Sequence, residues 1–163
     1  MKRLHVHIRV DDLARSIDFY TALFGSAPSL TRHDYAKWQL EDPRVNFALS
    51  KRDSGGGLDH LGIQVDDGGE LAQITQRLAA AGAVPVEQRD ARCCYARSDK
   101  AWSKDPQGVS WEAFLSHGEA DRLTACGDDG DCEKAAAEAA SCCATAGCGE
   151  VPKAAERAGA CCA

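Results

Sequence analysis

An internal repeat constrains the fold of this chain more than any other feature of its sequence. The segment HVHIRVDD at residues 5–12 returns as HLGIQVDD at residues 60–67, and the copies share a histidine, an isoleucine, a valine and two aspartates. An offset of 55 residues is long enough for one supersecondary unit. We therefore predict two similar units, at about residues 1–54 and 58–117.

Each copy begins as a strand and continues as a helix. Residues 4–10 alternate between apolar and polar side chains, which is typical of a strand with one buried face. Asp12 is suited to cap the following helix, Gly25 to end it, and Gly82 to end the helix of the second copy. The apolar positions at helical spacing are Leu13, Ile17, Tyr20 and Phe24 in the first helix and Leu71, Ile74, Leu78 and Ala81 in the second.

Short strands separated by turn residues follow each helix. The predicted ranges are 29–33, 35–40 and 45–50 in the first unit and 84–88, 93–97 and 110–116 in the second. Asp-Pro steps and glycines supply the turns between them, and the range 29–33 has the weakest strand pattern. Each unit is thus a strand, a helix and three strands, so the predicted fold class is α+β with two βαβββ units.

The composition changes at about residue 118. Residues 119–163 contain no aromatic residue, are rich in alanine and glycine, and hold seven of the nine cysteines. Because so little bulky apolar surface cannot form a separate core, we predict a domain at residues 1–117 and a Cys-rich, flexible low-complexity tail at residues 118–163. Alanine and glutamate favour a short helix near residues 131–143 of this tail.

Charge and hydropathy argue against two classes of partner. With 19 Lys and Arg against 25 Asp and Glu the chain is acidic, and its basic residues form no cluster, so we expect no nucleic acid partner. The N-terminal residues lack the apolar core of a secretory signal, and no run approaches the roughly 20 apolar residues that span a bilayer. We expect a cytoplasmic protein without membrane association, whose nine cysteines stay reduced and act as reactive or ligand groups.

Three polar residues are candidate metal ligands. His5 and His60 occupy equivalent positions of the repeat and face away from the apolar side of their strands, while Glu112 lies on the predicted closing strand. If the two units enclose a cleft, these side chains can converge there. Two imidazoles and one carboxylate with open positions favour nonhaem Fe(II) and oxygen chemistry, although Zn, Mn, Co or Ni accept the same atoms.

A histidine on a strand is more often a hydrogen-bonded surface or core residue than a ligand, and we prefer that interpretation for His7, His33 and His117. For the duplicated pair, the repeat favours a ligand role. The glutamate is either the third ligand or a solvated strand carboxylate.

Cys93 and Cys94 are adjacent in the segment ARCCYARSD. A disulfide between neighbouring residues closes a strained ring, so we do not expect a structural bridge between them. One alternative is a buried cysteine beside an exposed one, both acting as small side chains. The other is a pair of thiols that bind a ligand or substrate.

Five segments carry a family resemblance. They are HVHIRVDDLARSIDFYTALFG, DYAKWQLEDPRVNFAL, LDHLGIQVDD, CCYARSDKAW and DPQGVSWEAF, and they cover nearly all of residues 1–117. These segments resemble the bacterial carbon-arsenic lyases of the vicinal oxygen chelate (glyoxalase/bleomycin resistance/extradiol dioxygenase) superfamily. The resemblance implies the vicinal oxygen chelate fold and an Fe(II)-dependent dioxygenase that converts methylarsenite or aromatic arsenicals to arsenite with dioxygen, in arsenic detoxification.

The resemblance also assigns roles to individual residues. His60 and Glu112 match family ligand positions, and His5 matches the first-strand position, where some members have glutamine. Cys93 and Cys94 match the substrate-binding pair, since trivalent arsenic is thiophilic and its capture would fix the substrate near the metal. Both thiols can reach one arsenic only if this segment leaves regular strand geometry, which a flexible loop over residues 88–94 would allow.

Several alternatives stay open at this level. The tail pairs Cys142/Cys143 and Cys161/Cys162 either capture metalloid or belong to a low-complexity extension without a catalytic part. Cadmium-induced proteins share the pattern, so the chain could instead be a cadmium- or arsenite-binding thiol protein without catalysis, or a glyoxalase-like metal-dependent lyase. Exposed sheet edges allow a homodimer, although we expect one chain to form the whole cleft.

Overall fold

Both predicted units are present, each as a strand, a helix and three strands. The computed structural model describes residues 1–52 and 55–120. The first unit consists of β1 (Arg3–Val10), α1 (Leu13–Phe24), β2 (Leu30–Thr31), β3 (Tyr35–Glu41) and β4 (Arg44–Lys51). The second consists of β5 (Gly57–Val65), α2 (Gly68–Ala80), β6 (Val86–Cys93), β7 (Ala96–Lys104) and β8 (Ser110–Glu119). The fold is α+β with two βαβββ units, as predicted.

The eight strands form one mixed sheet in the order β2-β3-β4-β1-β5-β8-β7-β6. Strands β1 and β4 pair in parallel, as do β5 and β8, so each unit closes its last strand against its first. The two units join through the antiparallel pairing of β1 with β5, in which His7 lies opposite His60. The strands that carry the repeated histidines therefore lie side by side at the centre of the sheet.

The two helices cover the apolar sides of their own units. Asp12 accepts a hydrogen bond from the Arg15 backbone N–H at the start of α1, and Gly25 ends that helix with a left-handed φ of 65°. Asp67 caps α2 in the same way. The first core cluster holds the fully buried Trp38 and Leu49, and α1 packs against it with Ile17, Tyr20 and Phe24. In the second, Leu71 and Ile74 of α2 pack against residues of β5, β7 and β8.

The prediction of one strand over residues 93–97 is wrong at its centre. Cys93 ends β6, Ala96 begins β7, and Cys94 and Tyr95 form the two-residue turn between them. The turn also replaces the predicted flexible loop over residues 88–94, most of which belongs to β6. The segment does leave strand geometry, but at a tight hairpin turn.

The last strand is longer than the predicted range 110–116, because β8 continues to Glu119 and the Ala120 backbone N–H donates to the Tyr95 carbonyl. Beyond residue 120 the predicted tail, its short helix and its cysteine pairs lie outside the described residues. No helix within the described ranges is long and apolar enough to cross a membrane.

Candidate functional site

A cavity of about 310 Å³ lies between the two units. Residues from both units line it, so a single chain encloses the cleft. Its lining includes His5, His60, Glu112, Cys93, Cys94 and Lys100.

His5 and His60 face each other in this cavity with their Nε2 atoms 3.1 Å apart. The Nδ1 atom of His5 lies 2.9 Å from the Asn46 backbone carbonyl oxygen, which can only accept a hydrogen bond. The Nδ1 atom of His60 lies 2.6 Å from Oδ1 of Asp59. This hydrogen bond and the nearby charges outweigh burial and lower the pKa of Asp59 to about 2. Both imidazoles therefore carry a proton on Nδ1 and direct Nε2 into the cavity, the arrangement that orients histidine ligands in metal sites.

A bulge in the sheet explains the contact between Asp59 and His60. The pairing of β1 with β5 shifts register after the His7–His60 pair, so that Leu58 lies opposite Ile8 and Asp59 is the extra residue on β5. Successive residues of a regular strand point to opposite faces, and a bulge changes that direction locally. The bulge thus lets the carboxylate of one residue hold the imidazole of the next.

Glu112 lies on the same side of the cavity and is 4% exposed. Its Oε2 atom is 3.4 Å from Nε2 of His60 and 3.9 Å from Nε2 of His5, while its Oε1 atom is 2.5 Å from Nζ of Lys100. Gly62 allows the two strands to approach closely at Glu112, because a Cβ atom on residue 62 would lie 2.4 Å from the Glu112 carbonyl oxygen. Burial disfavours the carboxylate, but the charges of Lys100 and His60 hold the pKa of Glu112 well below its usual range.

The three donor atoms fit a divalent metal ion. Ligands that lie about 2.1 Å from an ion, at right angles to one another, are about 3.0 Å apart, and the two Nε2 atoms and Oε2 are 3.1–3.9 Å apart. Two imidazole nitrogens with lone pairs directed at each other repel unless a cation or a proton lies between them. Burial lowers the pKa of His5 to about 4, whereas the bonds of His60 to Asp59 and Glu112 outweigh its burial and raise its pKa to about 9. At neutral pH one proton therefore lies between the two Nε2 atoms, in the place where a cation would bind.

The structure places one further histidine in this cluster. His7 is 1% exposed, its ring centroid is 4.8 Å from that of His60, and its Nε2 atom is 3.0 Å from Oγ of Ser50. It is a hydrogen-bonded core residue, as predicted, but it also lines the cavity. The alternation of β1 could have identified it, because His7 shares the polar face of the strand with His5.

The remaining histidines lie elsewhere. The side chain of His33 is 85% exposed and lies 3.6 Å from Asp34, while Nε2 of His117 is 3.3 Å from the Asp99 carboxylate. Neither residue lines the cavity. Both are surface or partly buried residues with a carboxylate partner.

Cys93 and Cys94 both line the cavity, at the turn between β6 and β7. Cys94 and Tyr95 have φ values of 52° and 58°, which is the conformation of a type I′ hairpin turn. Glycine and asparagine are the usual residues at such positions, and a tyrosine with positive φ is uncommon. The turn allows two neighbouring side chains to lie on the same side of the hairpin, which a regular strand does not.

Lys100 links the thiols to the carboxylate. Its Nζ atom lies 2.7 Å from Sγ of Cys93 and 2.5 Å from Oε1 of Glu112, and its side chain is 6% exposed. The hydrogen bond from Cys94 and the charge of Lys100 overcome burial and lower the pKa of Cys93 to about 6. The shared hydrogen bond and burial raise the pKa of Cys94. At neutral pH the pair is therefore one thiolate and one thiol. Sequence reasoning missed Lys100, because a strand lysine usually points to solvent.

Tyr95 fixes the hairpin turn against the first unit. Its hydroxyl donates to Oδ1 of Asp34 at 2.7 Å, and its ring lies 5.5 Å from that of Tyr35. The Arg32 guanidinium lies 5.5 Å from the centre of the same ring. These contacts with the first unit fix the position of the neighbouring thiol pair.

Comparison with known proteins identifies similar chains. The family model for the glyoxalase/bleomycin resistance protein/dioxygenase superfamily matches residues 2–113. A "Trivalent organoarsenical cleaving enzyme" of Thermomonospora curvata is 36% identical over 154 residues, which is 88% of this chain and 100% of that protein. A protein of the same name from Bacillus sp. (strain MD1) is 42% identical over 119 residues, or 71% of this chain and 74% of that one. Among solved structures, an extradiol ring-cleaving dioxygenase of B. fuscum matches 74% of this chain and 34% of its own, with a TM-score of 0.56 and 20% identity.

Proposed function

The chain belongs to the glyoxalase/bleomycin resistance protein/dioxygenase superfamily, and we propose that it is an Fe(II)-dependent dioxygenase that cleaves the carbon–arsenic bond of trivalent organoarsenicals. Its substrates would be methylarsenite or aromatic arsenicals, its co-substrate dioxygen and its product arsenite. One observation carries the proposal: two adjacent thiols lie in the same cavity as two imidazoles and a carboxylate suited to a metal. The names of the two similar curated proteins support the choice of substrate.

His5, His60 and Glu112 would hold the iron through Nε2, Nε2 and Oε2. Three protein ligands leave open positions, and bound Fe(II) supplies the activation of dioxygen. The Asn46 carbonyl and the Asp59 carboxylate keep the two imidazoles in the tautomer that offers Nε2. Lys100 contacts Oε1 of Glu112, which leaves Oε2 as the ligand atom.

Cys93 and Cys94 would bind the arsenic. The Cys93 thiolate attacks arsenic and displaces one hydroxide, and the Cys94 thiol displaces the second, so that two As–O bonds are replaced by two As–S bonds. The Cys94 proton leaves with one hydroxide as water, and a proton from solvent completes the second water. The thiolate is available for the first attack at neutral pH because the pKa of Cys93 is lowered to about 6, by Cys94 and by Lys100.

The cavity walls would hold the organic substituent close to the metal ligands. The Phe114 ring lies 5.3 Å from that of His5, and the Trp102 ring lies 5.0 Å from that of His60. These aromatic side chains exclude water and provide an apolar contact for a methyl or aryl group. Binding of arsenic to the thiols would make its reaction with dioxygen effectively intramolecular, because both reactants are held in the same cavity. For methylarsenite the atoms balance if each dioxygen yields one arsenous acid and one formaldehyde.

The decisive experiment measures arsenic species under defined conditions. The protein is reconstituted anaerobically with Fe(II), mixed with methylarsenite and exposed to air, and the products are separated chromatographically. We expect arsenite only with iron and oxygen, and we expect Cys94→Ala to lower kcat/KM by about 100-fold or more because the arsenic loses its position. Replacement of Cys126 and Cys132 by serine is the matched control, since it removes two cysteines of the same chain that have no assigned role.

Two results would contradict the proposal. Methylarsenite that stays bound and unchanged would indicate a thiol protein that binds arsenic or cadmium without catalysis. Metal-dependent turnover of a thiol adduct of a 2-oxoaldehyde, with no role for Cys93 and Cys94, would indicate a glyoxalase-like lyase. Substitution of His60 by alanine separates these cases. Only a thiol protein that binds arsenic or cadmium without catalysis would still protect against these elements after the substitution.

The tail would have a second task. We assign metalloid capture to Cys142, Cys143, Cys161 and Cys162, and we retain residues 1–117 and 118–163 as the proposed division of the chain. The match to the Thermomonospora curvata protein covers 88% of the chain, which is more than residues 1–120, so it extends into this region. Arsenite bound per chain, measured with and without these four cysteines, tests the assignment.

A further inference from the structure

The cavity contains a third imidazole that the proposed iron site does not use. A ligand atom of His7 lies within 4.8 Å of those of His5 and His60, and all three residues are buried. His7 lies two residues after His5 on the same face of β1 and opposite His60 in the sheet. Its counterpart in the second unit is Gly62, which has no side chain, so this imidazole breaks the symmetry of the repeat.

The hydrogen-bond contact of His7 leaves one of its ring nitrogens available to bind a metal. Oγ of Ser50 accepts a hydrogen bond from Nε of Arg52 and lies 3.0 Å from Nε2 of His7. If Nε2–H donates to that oxygen, the lone pair of Nδ1 stays free to bind a cation.

We propose that His7, His5 and His60 form a three-imidazole site for Zn²⁺, in which Glu112 is the fourth ligand. This inference rests on the proposed function, because three of these residues are the proposed iron ligands. Zn²⁺ takes four ligands in a tetrahedron, and tetrahedral ligands about 2.1 Å from an ion are about 3.4 Å apart. The ligand atoms of the three histidines now lie within 4.8 Å of one another, so the His7 ring would turn inward when the ion binds.

The two ways of binding a metal have different chemical consequences. With His5, His60 and Glu112 alone, the ion keeps open positions for substrate and dioxygen. With His7 added, four protein ligands close the site, as in structural zinc sites. The same cavity would thus hold Fe²⁺ in an open form and Zn²⁺ in a closed, inactive form.

Metal binding by the full-length apo protein tests this proposal directly. Co²⁺ is the spectroscopic probe, since tetrahedral Co²⁺ absorbs visible light far more strongly than octahedral Co²⁺, and Zn²⁺ affinity follows from competition. We expect the intense spectrum in the wild type, and its loss in His7→Gln together with a fall of about tenfold or more in Zn²⁺ affinity. His33→Gln is the matched control, because that histidine is exposed and outside the cavity. Mn²⁺ binding should be unchanged in His7→Gln, and this result would show that the open site is still folded.

The outcomes separate this inference from the proposed function. An unchanged Co²⁺ spectrum and Zn²⁺ affinity in His7→Gln would overturn the three-imidazole site while leaving the iron site intact. Loss of Mn²⁺ binding in both His7→Gln and a second variant, His7→Asn, would also overturn it, because His7 would then be required for the open site. Failure of the wild type to bind any of the ions would contradict both proposals.

Discussion

Lys100 shows how one side chain can connect two parts of a site. A buried ammonium is costly unless its charge is compensated, and here it lies 2.5 Å from the Glu112 carboxylate and 2.7 Å from the Cys93 sulfur. The surrounding negative charges outweigh burial and raise the pKa of Lys100 above its usual value, so it stays charged. The lysine thereby stabilises a ligand carboxylate and a thiolate together.

The pH dependence of Cys93 alkylation tests this role. We expect the iodoacetamide reaction of the apo protein to rise with a midpoint at about pH 6, the value to which Cys94 and then Lys100 lower the pKa. Removing a neighbouring cation disfavours the thiolate, so Lys100→Met should move the midpoint upward and slow alkylation at pH 7. Cys94→Ala should also raise it, because the hydrogen bond from Cys94 is the largest favourable influence.

Lys37→Met is the control for that measurement. Lys37 lines the same cavity, so its removal changes the cavity's charge without removing a contact to Cys93. An equal shift of the midpoint in both lysine variants would indicate a general effect of charge and would contradict the specific role of Lys100. Mass spectrometry of the alkylated peptide identifies the reacting cysteine.

At the scale of single elements, the hairpin of β6 and β7 is where sequence reasoning and structure differ most. The residues CCYAR have strand composition, and no glycine or asparagine marks a turn. The chain nevertheless turns at Cys94 and Tyr95, with φ values of 52° and 58°. Contacts of Tyr95 with Asp34 and Tyr35 stabilise this conformation, and they come from the other unit. Local pattern cannot predict a turn that distant residues stabilise.

The Tyr95–Asp34 bond can be measured by a double-mutant cycle. We expect Tyr95→Phe to lower the free energy of unfolding by about 1–2 kcal/mol, since a hydroxyl bond to a carboxylate is lost while the ring is kept. We also expect weaker arsenite binding, because the turn that positions both thiols becomes less rigid. Urea unfolding of Tyr95→Phe, Asp34→Asn and the double variant isolates the pair. Additive effects of the two substitutions would show that the bond does not stabilise the turn.

At the scale of the whole molecule, the repeat was sufficient to predict the two βαβββ units. Helix boundaries followed from the caps Asp12 and Gly25, which depend on nearby residues alone. The alternation of β1 places His7 on the face of His5, but the contact of His7 with His60 and the role of Lys100 could not be predicted in this way. Their position in the cavity depends on the pairing of β1 with β5 and on the curl that brings the units together. Such contacts join residues distant in sequence, and the composition of a single strand contains no information about them.

The arrangement of the ligands across the two units leads to a prediction about stability. His5 belongs to the first unit, and His60 and Glu112 belong to the second, so a bound metal would connect both halves of the sheet. An ion that binds only the folded chain stabilises it by about 2.7 kcal/mol at a concentration 100 times its Kd. For a chain of this size, that corresponds to a rise in Tm on the order of 10 °C.

Thermal unfolding under anaerobic conditions, with and without Fe(II), measures this effect. The rise in Tm should disappear in His60→Ala and persist in His33→Ala, because the latter removes a histidine whose side chain is 85% exposed. The rise in Tm should also become smaller as the pH is lowered below about 9. Asp59 and Glu112 outweigh burial and raise the pKa of His60 to about 9, so below that pH a proton competes with the metal for Nε2. Metal affinity would therefore increase with pH through the neutral range. An equal rise in Tm for His60→Ala would mean that the ion binds elsewhere and does not connect the two units through His60.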